Sequence, residues 1–266
     1  MKTSLIISIY KNVPFLKMVL DALQHQTYQD FEIVISEDGE DEKVGDFIAS
    51  YPFQQSYQHL TQTDLGWRKN KALNNAVRAA KGEWLILIDG DCILHPRFIE
   101  FHCKMASEKA ILAGKRVKLS QTSTQKYTLN PKILSRFNYY LVTHFWKAGR
   151  YLEEAFFFDN KGLLKCIPTA RKMSQLKGCN MSFSKEAIYA INGFDEDYTL
   201  PAIGEDIDLL WRFQGVGYQI QSVRNMAVMY HLHHPESWTS QELNKLKMQE
   251  KRSNNTYVCT NGIQKL

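Results

Sequence analysis

The sequence has no long apolar run. None approaches the roughly 18 residues that a membrane-spanning helix needs, so a chain held in a bilayer by its own helix is not expected. Cysteine is scarce and poorly spaced for chemistry. The five, Cys92, Cys103, Cys166, Cys179 and Cys259, are odd in number and contain no C-x-x-C pair, which argues against a disulfide framework and a zinc site. A reducing cytoplasm is their simplest setting. Glycine and proline are not enriched, and no low-complexity segment or repeat of fixed period occurs, which excludes fibrous and solenoid classes. The opening MKTSLIISIYKNVP lacks the small-residue cleavage site of a signal peptide and reads as a first β-strand.

What is present is the make-up of a globular enzyme. At 266 residues, with 44% hydrophobic and 23% charged residues, the chain can bury a full core. The net charge of +5 is unevenly placed. Between Lys115 and Lys177 there are thirteen Lys/Arg and only three acids, Glu153, Glu154 and Asp159, in a stretch dense in aromatic residues.

Residues 4–10, 31–39 and 84–89 are short, apolar and rich in β-branched side chains, as buried strands are. Helical patterns follow the first two in VPFLKMVLDALQHQ and DEKVGDFIASYP, and RKNKALNNAVRAAKG, closed by Gly82 as a C-terminal cap, precedes the third. This alternation predicts βαβ units: an α/β fold with a Rossmann-like, mostly parallel central sheet flanked by helices. The second half is less regular. A strand at 178–183 leads to a helix from Ser184 and a turn at Gly193. A helix over 205–217 ends at Gly215, and at least one strand lies in 219–234. One domain is expected, divided into 1–95, 96–235 with a variable insert at 115–175, and a tail at 236–266.

Ligands of such sheets bind beyond the carboxyl ends of the strands. Asp38, Asp89 and Asp91 all lie just past strand ends and should converge on one cleft. Three D-x-D pairs occur, at 89/91, 195/197 and 206/208, so the pattern alone is weak; only the first follows a buried strand. In an extended segment, i and i+2 carboxylates lie roughly 6–7 Å apart and repel by about 2–3 kcal/mol at an effective dielectric near 20. A divalent cation such as Mn²⁺ or Mg²⁺ offsets that cost; an acidic turn that simply solvates the strand end is the other reading. In MAVMYHLHHP, strand alternation places His231 and His233 on one face. They are either buried core histidines or the completion of a metal site.

These stretches resemble a family. SLIISIYKN, VISEDGEDE and LGWRKNKALNNAVRAAKGEWLILIDGD are similar to the nucleotide-binding half of inverting family-2 glycosyltransferases with the GT-A fold. KGCNMSFSKEAIYAINGFDEDY, GEDIDLLWRFQGVGYQI and MYHLHHP resemble the galactosyltransferase-type C-terminal module, which also occurs in bacterial chondroitin-polymerase-like enzymes. Ser8-Ile9-Tyr10-Lys11 stands where the family has Pro-Thr-Tyr-Asn, and Glu37-Asp38 where two aspartates are common.

The resemblance implies a UDP-sugar donor, a saccharide or lipid-linked saccharide acceptor, and Mn²⁺ or Mg²⁺ as cofactor. Asp38 accepts from the uracil imide, Tyr10 packs on the ring, and Ser8 belongs to the same nucleotide site. Arg68 and Lys69 meet phosphate or nucleotide, Asp89 with Gly90 holds ribose or sugar, and Asn180 bonds donor or acceptor. Asp91 binds the metal with His231, His233 being the alternative ligand. Asp206 is the general base and Glu205 orients the acceptor. Other readings of each residue remain: a turn residue for Asp38 and for Asn180, a solvated helix face for Arg68 and Lys69, a helix-dipole acid for Asp206.

The basic aromatic stretch 126–158 either packs an insert that stacks on acceptor sugars or forms an interfacial surface against anionic lipid, at the inner face of the cell membrane. No motif supports nucleic-acid binding. The competing functions are a sugar-1-phosphate nucleotidyltransferase, which would want a glycine-rich basic loop that SIYKNVPF lacks, and a non-catalytic saccharide-binding protein of the same fold.

Overall fold

The chain winds short buried strands and amphipathic helices in alternation. The computed structural model describes residues 1–129, 143–161, 164–201, 203–235 and 240–266. Part of the basic aromatic stretch 126–158 therefore falls outside the described residues. The strands are β1 Thr3–Ile9, β2 Phe31–Glu37, β3 Tyr57–Leu60, β4 Trp84–Asp89, β5 Cys92–Leu94, β6 Ala110–Ala113, β7 Val117–Leu119, β8 Gly149–Arg150, β9 Met181–Ser184, β10 Gln219–Ser222 and β11 Met229–His231.

Seven of them form the main sheet in the order β10-β6-β9-β4-β1-β2-β3. β1, β2, β3 and β4 are parallel, as are β6 and β10; β9 alone runs antiparallel to its neighbours. A second sheet, β5-β11-β7-β8, lies at the carboxyl end of β4.

Both faces of the main sheet are buried. Leu5, Ile7 and Ile9 of β1 pack with α1 (Val13–Leu23), α2 (Glu42–Ser50) and α4 (Phe98–Lys104), whereas Ile6 packs with α3 (Lys69–Ala79) and the helices Lys185–Ala190 and Asp208–Gly215. This two-sided burial explains why β1, β2 and β4 read as continuous apolar runs. Local capping agrees with the sequence. Asn12, in the left-handed region at φ 65°, accepts from the Phe15 N–H at the start of α1, and Asp41 accepts from Lys43 and Val44 at the start of α2. Ser184 accepts from the Ala187 N–H, starting the helix expected there.

Two expectations change. α3 ends at Ala79, and Gly82 is not its cap. A Cβ at Gly82 would lie 2.5 Å from the Ser4 backbone nitrogen, and its own N–H donates to Ser4 Oγ at 2.8 Å, so the glycine lets the entry to β4 pass against β1. The helix expected over 205–217 is a π-helical turn, Ile203–Ile207, followed by an α-helix, Asp208–Gly215. π turns of this kind recur at functional sites.

His102 of α4 is fully buried between Ser182 Oγ (2.8 Å from Nδ1) and Asn180 Oδ1 (3.0 Å from Nε2). Burial pushes its pKa down to about 4. Below about pH 6.5 the unfolded chain takes up a proton that the folded chain refuses until about pH 4, so stability is complete above that window and falls on acidification through it. The linkage amounts to at most about 3 kcal/mol for this residue. Denaturant midpoints measured from pH 7 to pH 4 should fall with acid, and His102→Gln should flatten that dependence; an unchanged slope would rule out this role.

Candidate active site

The site gathers at the carboxyl ends of β1, β2 and β4, as the parallel topology requires. β4 ends at Asp89, so Asp89-Gly90-Asp91 spans the turn into β5 instead of an extended segment, and its two carboxylates take different partners. Asp89 Oδ1 accepts from Lys69 Nζ at 2.8 Å, in the first turn of α3. Gly90 passes so close to β1 that a Cβ would lie 2.4 Å from Ile9 Cγ2, and its N–H donates to the Ser8 carbonyl at 2.8 Å. No side chain fits between the two aspartates.

Asp91 turns the other way, toward β11. Its Oδ2 lies 3.4 Å from His231 Nε2 and 3.1 Å from His234 Nε2, and one ligand atom from each residue lies within 4.8 Å of the others. The strand pairing sets this up: Cys92 of β5 faces His231 of β11, and the Asp91 carbonyl accepts from the Leu232 N–H at 2.9 Å.

Burial raises the Asp91 pKa, but the hydrogen bond from His234 and the neighbouring His231 outweigh it and hold the carboxyl at about 2. Burial pushes His231 down to about 4 despite the pull of Asp91, so at neutral pH its imidazole is uncharged and keeps a lone pair for a metal. One carboxylate with two imidazoles suits Mn²⁺ better than Mg²⁺, which prefers oxygen throughout.

His234, not His233, completes this group. β11 ends at His231, so strand alternation no longer governs the next residues. His233 is exposed, and its backbone N–H donates to Thr124 Oγ1 at 2.8 Å. The sequence signal that finds His234 is the three-residue spacing His231…His234, which brings two side chains together where a strand runs into a turn.

The side of the site where the nucleotide was expected is built on β1 and β2. Asp38 is buried, its oxygens accepting from Gln62 Nε2 (2.6 Å) and the Arg68 N–H (2.7 Å). Gln62, which fixes the carboxylate, carried no pattern of its own. Ser8 lies in register with Asp89 and Ser36, nearly buried. Tyr10 is 55% exposed, its hydroxyl donating to Asp64 at 3.1 Å, with Lys11 Nζ 3.1 Å from the same carboxylate. Arg68 precedes α3, and its guanidinium donates to the Thr63 carbonyl.

Asn180 does not line the cleft. It is fully buried, donating to the carbonyls of Lys115 (2.8 Å) and Ala227 (3.1 Å) and accepting from His102, so its amide is committed to the core and the expected sugar contact is corrected to a structural role. Asp206 lies half-buried in the π turn. That turn is tied to α3 by Asn70 Nδ2, which donates to the carbonyls of Asp195 (2.7 Å) and Gly204 (3.4 Å), one residue along from the Lys69 that holds Asp89. The α-helical period expected over 205–217 does not apply through this π turn. The Glu205 side chain lies outside the described residues.

A cleft of about 500 Å³ opens beside His234, lined among others by Lys118, Ser120, Trp146, Arg150 and His233. A larger concavity of about 550 Å³, lined among others by Gly82, Trp84 and Ser184, sits at the amino end of β4, the end opposite Asp89.

The Glycosyl transferase family 2 pattern matches residues 4–171, and the pattern described as the N-terminal domain of galactosyltransferase matches residues 168–235. Chondroitin synthase of Escherichia coli is 25% identical over 244 residues, covering 87% of this chain and 35% of that protein, so the chain spans about a third of this relative. Among solved structures, GalNAc-T7 with UDP, GalNAc and Mn²⁺ is similar at a TM-score of 0.64 and 13% identity, over 94% of this chain and 47% of that one. A mannosyltransferase from Pyrobaculum calidifontis in complex with GDP-Man and Mn²⁺ is similar at 0.59 and 14%, over 95% and 63%. The fold is therefore that of the GT-A glycosyltransferases.

Titration with Mn²⁺, followed by the EPR signal of the free ion in the presence of UDP, checks the ligand group. Asp91→Asn, His231→Ala and His234→Ala should each weaken binding by at least about 10-fold. His233→Ala should bind like the parent chain; the reverse ranking of His233 and His234 would refute the geometry.

Proposed function

The chain belongs to glycosyl transferase family 2, and on that premise we propose that it moves a hexose or N-acetylhexosamine from a UDP-sugar to a saccharide or lipid-linked saccharide, with inversion, in the making of a surface polysaccharide. The observation that carries this reading is the meeting of Asp91, His231 and His234 beside the Lys69–Asp89 pair at the carboxyl ends of parallel strands. The similarity to a chondroitin synthase supports the polysaccharide, and the UDP and Mn²⁺ of GalNAc-T7 support the donor and the ion.

In this reading Asp38, held by Gln62 and the Arg68 N–H, reads the uracil imide, and a carboxylate so fixed gives a charge-assisted bond. Tyr10 packs on the base, while Ser8 and Gly90 form the floor. Asp89, oriented by Lys69, holds ribose or sugar. Asp91, His231 and His234 hold the divalent ion, which when bound neutralises charge on the diphosphate. Asp206 takes the proton of the acceptor hydroxyl. The hydroxyl oxygen bonds to the anomeric carbon from the face opposite the diphosphate, and the anomeric C–O bond breaks with its electron pair going to UDP. Glu205 orients the acceptor.

Among the described residues no helix is long and apolar enough to cross a membrane. The stretch 126–158, with Trp146 94% exposed, is proposed to meet lipid bearing the acceptor at the inner face of the cell membrane. Co-sedimentation with anionic vesicles should be lost at high salt and weakened by Trp146→Ala; no vesicle binding would remove this element.

Incubation with Mn²⁺ and a panel of nucleotide sugars should release UDP from one UDP-sugar, faster with saccharide acceptor. Asp206→Asn should keep UDP binding and lose transfer by about 10²–10⁴-fold. Full turnover by that variant would exclude Asp206 as the base, and no release from any nucleotide sugar would overturn the activity.

A further inference from the structure

Arg116 stands in the turn between β6 and β7, on a residue that the mechanism above leaves unused. It is half-buried, and among the described residues no carboxylate lies within ion-pair distance of it; its NH1 donates instead to Cys179 Sγ at 3.2 Å. A guanidinium drawn partly out of water without a carboxylate is costly unless an anion joins it.

Its direction follows from the second sheet. Val117 lies opposite Tyr230, and Lys118 and Cys92 lie opposite His231. Val117 and Tyr230 share one apolar cluster, whereas Cys179, to which Arg116 donates, lies in another together with Cys92, so Arg116 is drawn toward the Cys92 side. Its charge reaches Asp89, and at His231 it adds to burial in depressing the imidazole. The turn is pinned from beneath, since Asn180 donates to the Lys115 carbonyl and is itself held by His102.

Charge balance calls for such a group. Two carboxylates, Asp89 and Asp91, against Lys69 and a divalent ion leave one net positive charge. Arg116 makes two, closer to the charge of a departing nucleoside diphosphate, and its planar fork suits paired phosphate oxygens.

We propose that the Arg116 guanidinium binds the β-phosphate oxygens of the donor's diphosphate, stabilising it as it leaves; this rests on the glycosyltransferase reading of the same site.

The test measures calorimetric affinities for UDP, UMP and inorganic pyrophosphate with Mn²⁺ on the full chain. Arg116→Met should weaken UDP and pyrophosphate by about 10- to 100-fold and collapse the preference for UDP over UMP, with Arg116→Lys recovering part of it. Cys179→Ala, which removes the thiol contact alone, should keep the parent affinities; reproduction of the defect by this variant would make Arg116 a structural prop and overturn the proposal. Parent-like UDP and pyrophosphate affinity in Arg116→Met would also overturn it, including the case where the variant only raises the acceptor KM, since the anion read would then belong to the acceptor. Failure of the parent chain to bind UDP, UMP or pyrophosphate would instead remove the glycosyltransferase reading, and this inference with it.

Discussion

The site depends on the pairing of β5 with β11. That short antiparallel ladder, extended by the bond from the Leu232 N–H to the Asp91 carbonyl, fastens the end of the first, parallel half to the end of the second half. Without it Asp91 would be one more carboxylate beyond a strand, repelled by Asp89. With it, two histidine side chains from far along the chain face Asp91, and Asp89 is left to Lys69. Carboxylates that would repel across a few ångströms are thereby divided between two sets of partners.

The supporting structure is largely buried polar contact. Beneath the β6–β7 turn, His102, Asn180 and Ser182 satisfy one another in the core. In the second half, Glu154 is nearly buried and pairs with Arg171, at the end of the helix Cys166–Ala170, and with Arg224, in the turn after β10. Below the π turn, Asp208 and Arg212 form a fully buried pair at 2.6 Å, and the Tyr198 hydroxyl donates to Asp208 at 2.9 Å. Removing one member of such a pair leaves a charge stranded, at about 3–5 kcal/mol. These contacts hold the irregular half in place where apolar periodicity is weak.

Much of the parallel half was legible because its strands are buried on both faces and its helices are capped by residues with clear preferences, such as Asn12 and Asp41. The placing of Asp38, Asp89 and Asp91 at or just past strand ends follows from topology alone. What escaped were features set by tertiary contact. Gly82 matches a helix cap in sequence yet serves a close approach to Ser4. Asn180 looks like a strand-end ligand until its three internal bonds are seen. His234 was hidden because alternation was carried past the last residue of β11.

The central claim is that Asp91, His231 and His234 hold one divalent ion. Pulsed EPR of Mn²⁺ bound to the protein with UDP tests it most directly. Two imidazole nitrogen couplings are predicted, one disappearing in each single histidine variant. A spectrum with phosphorus and water couplings but no nitrogen would contradict it.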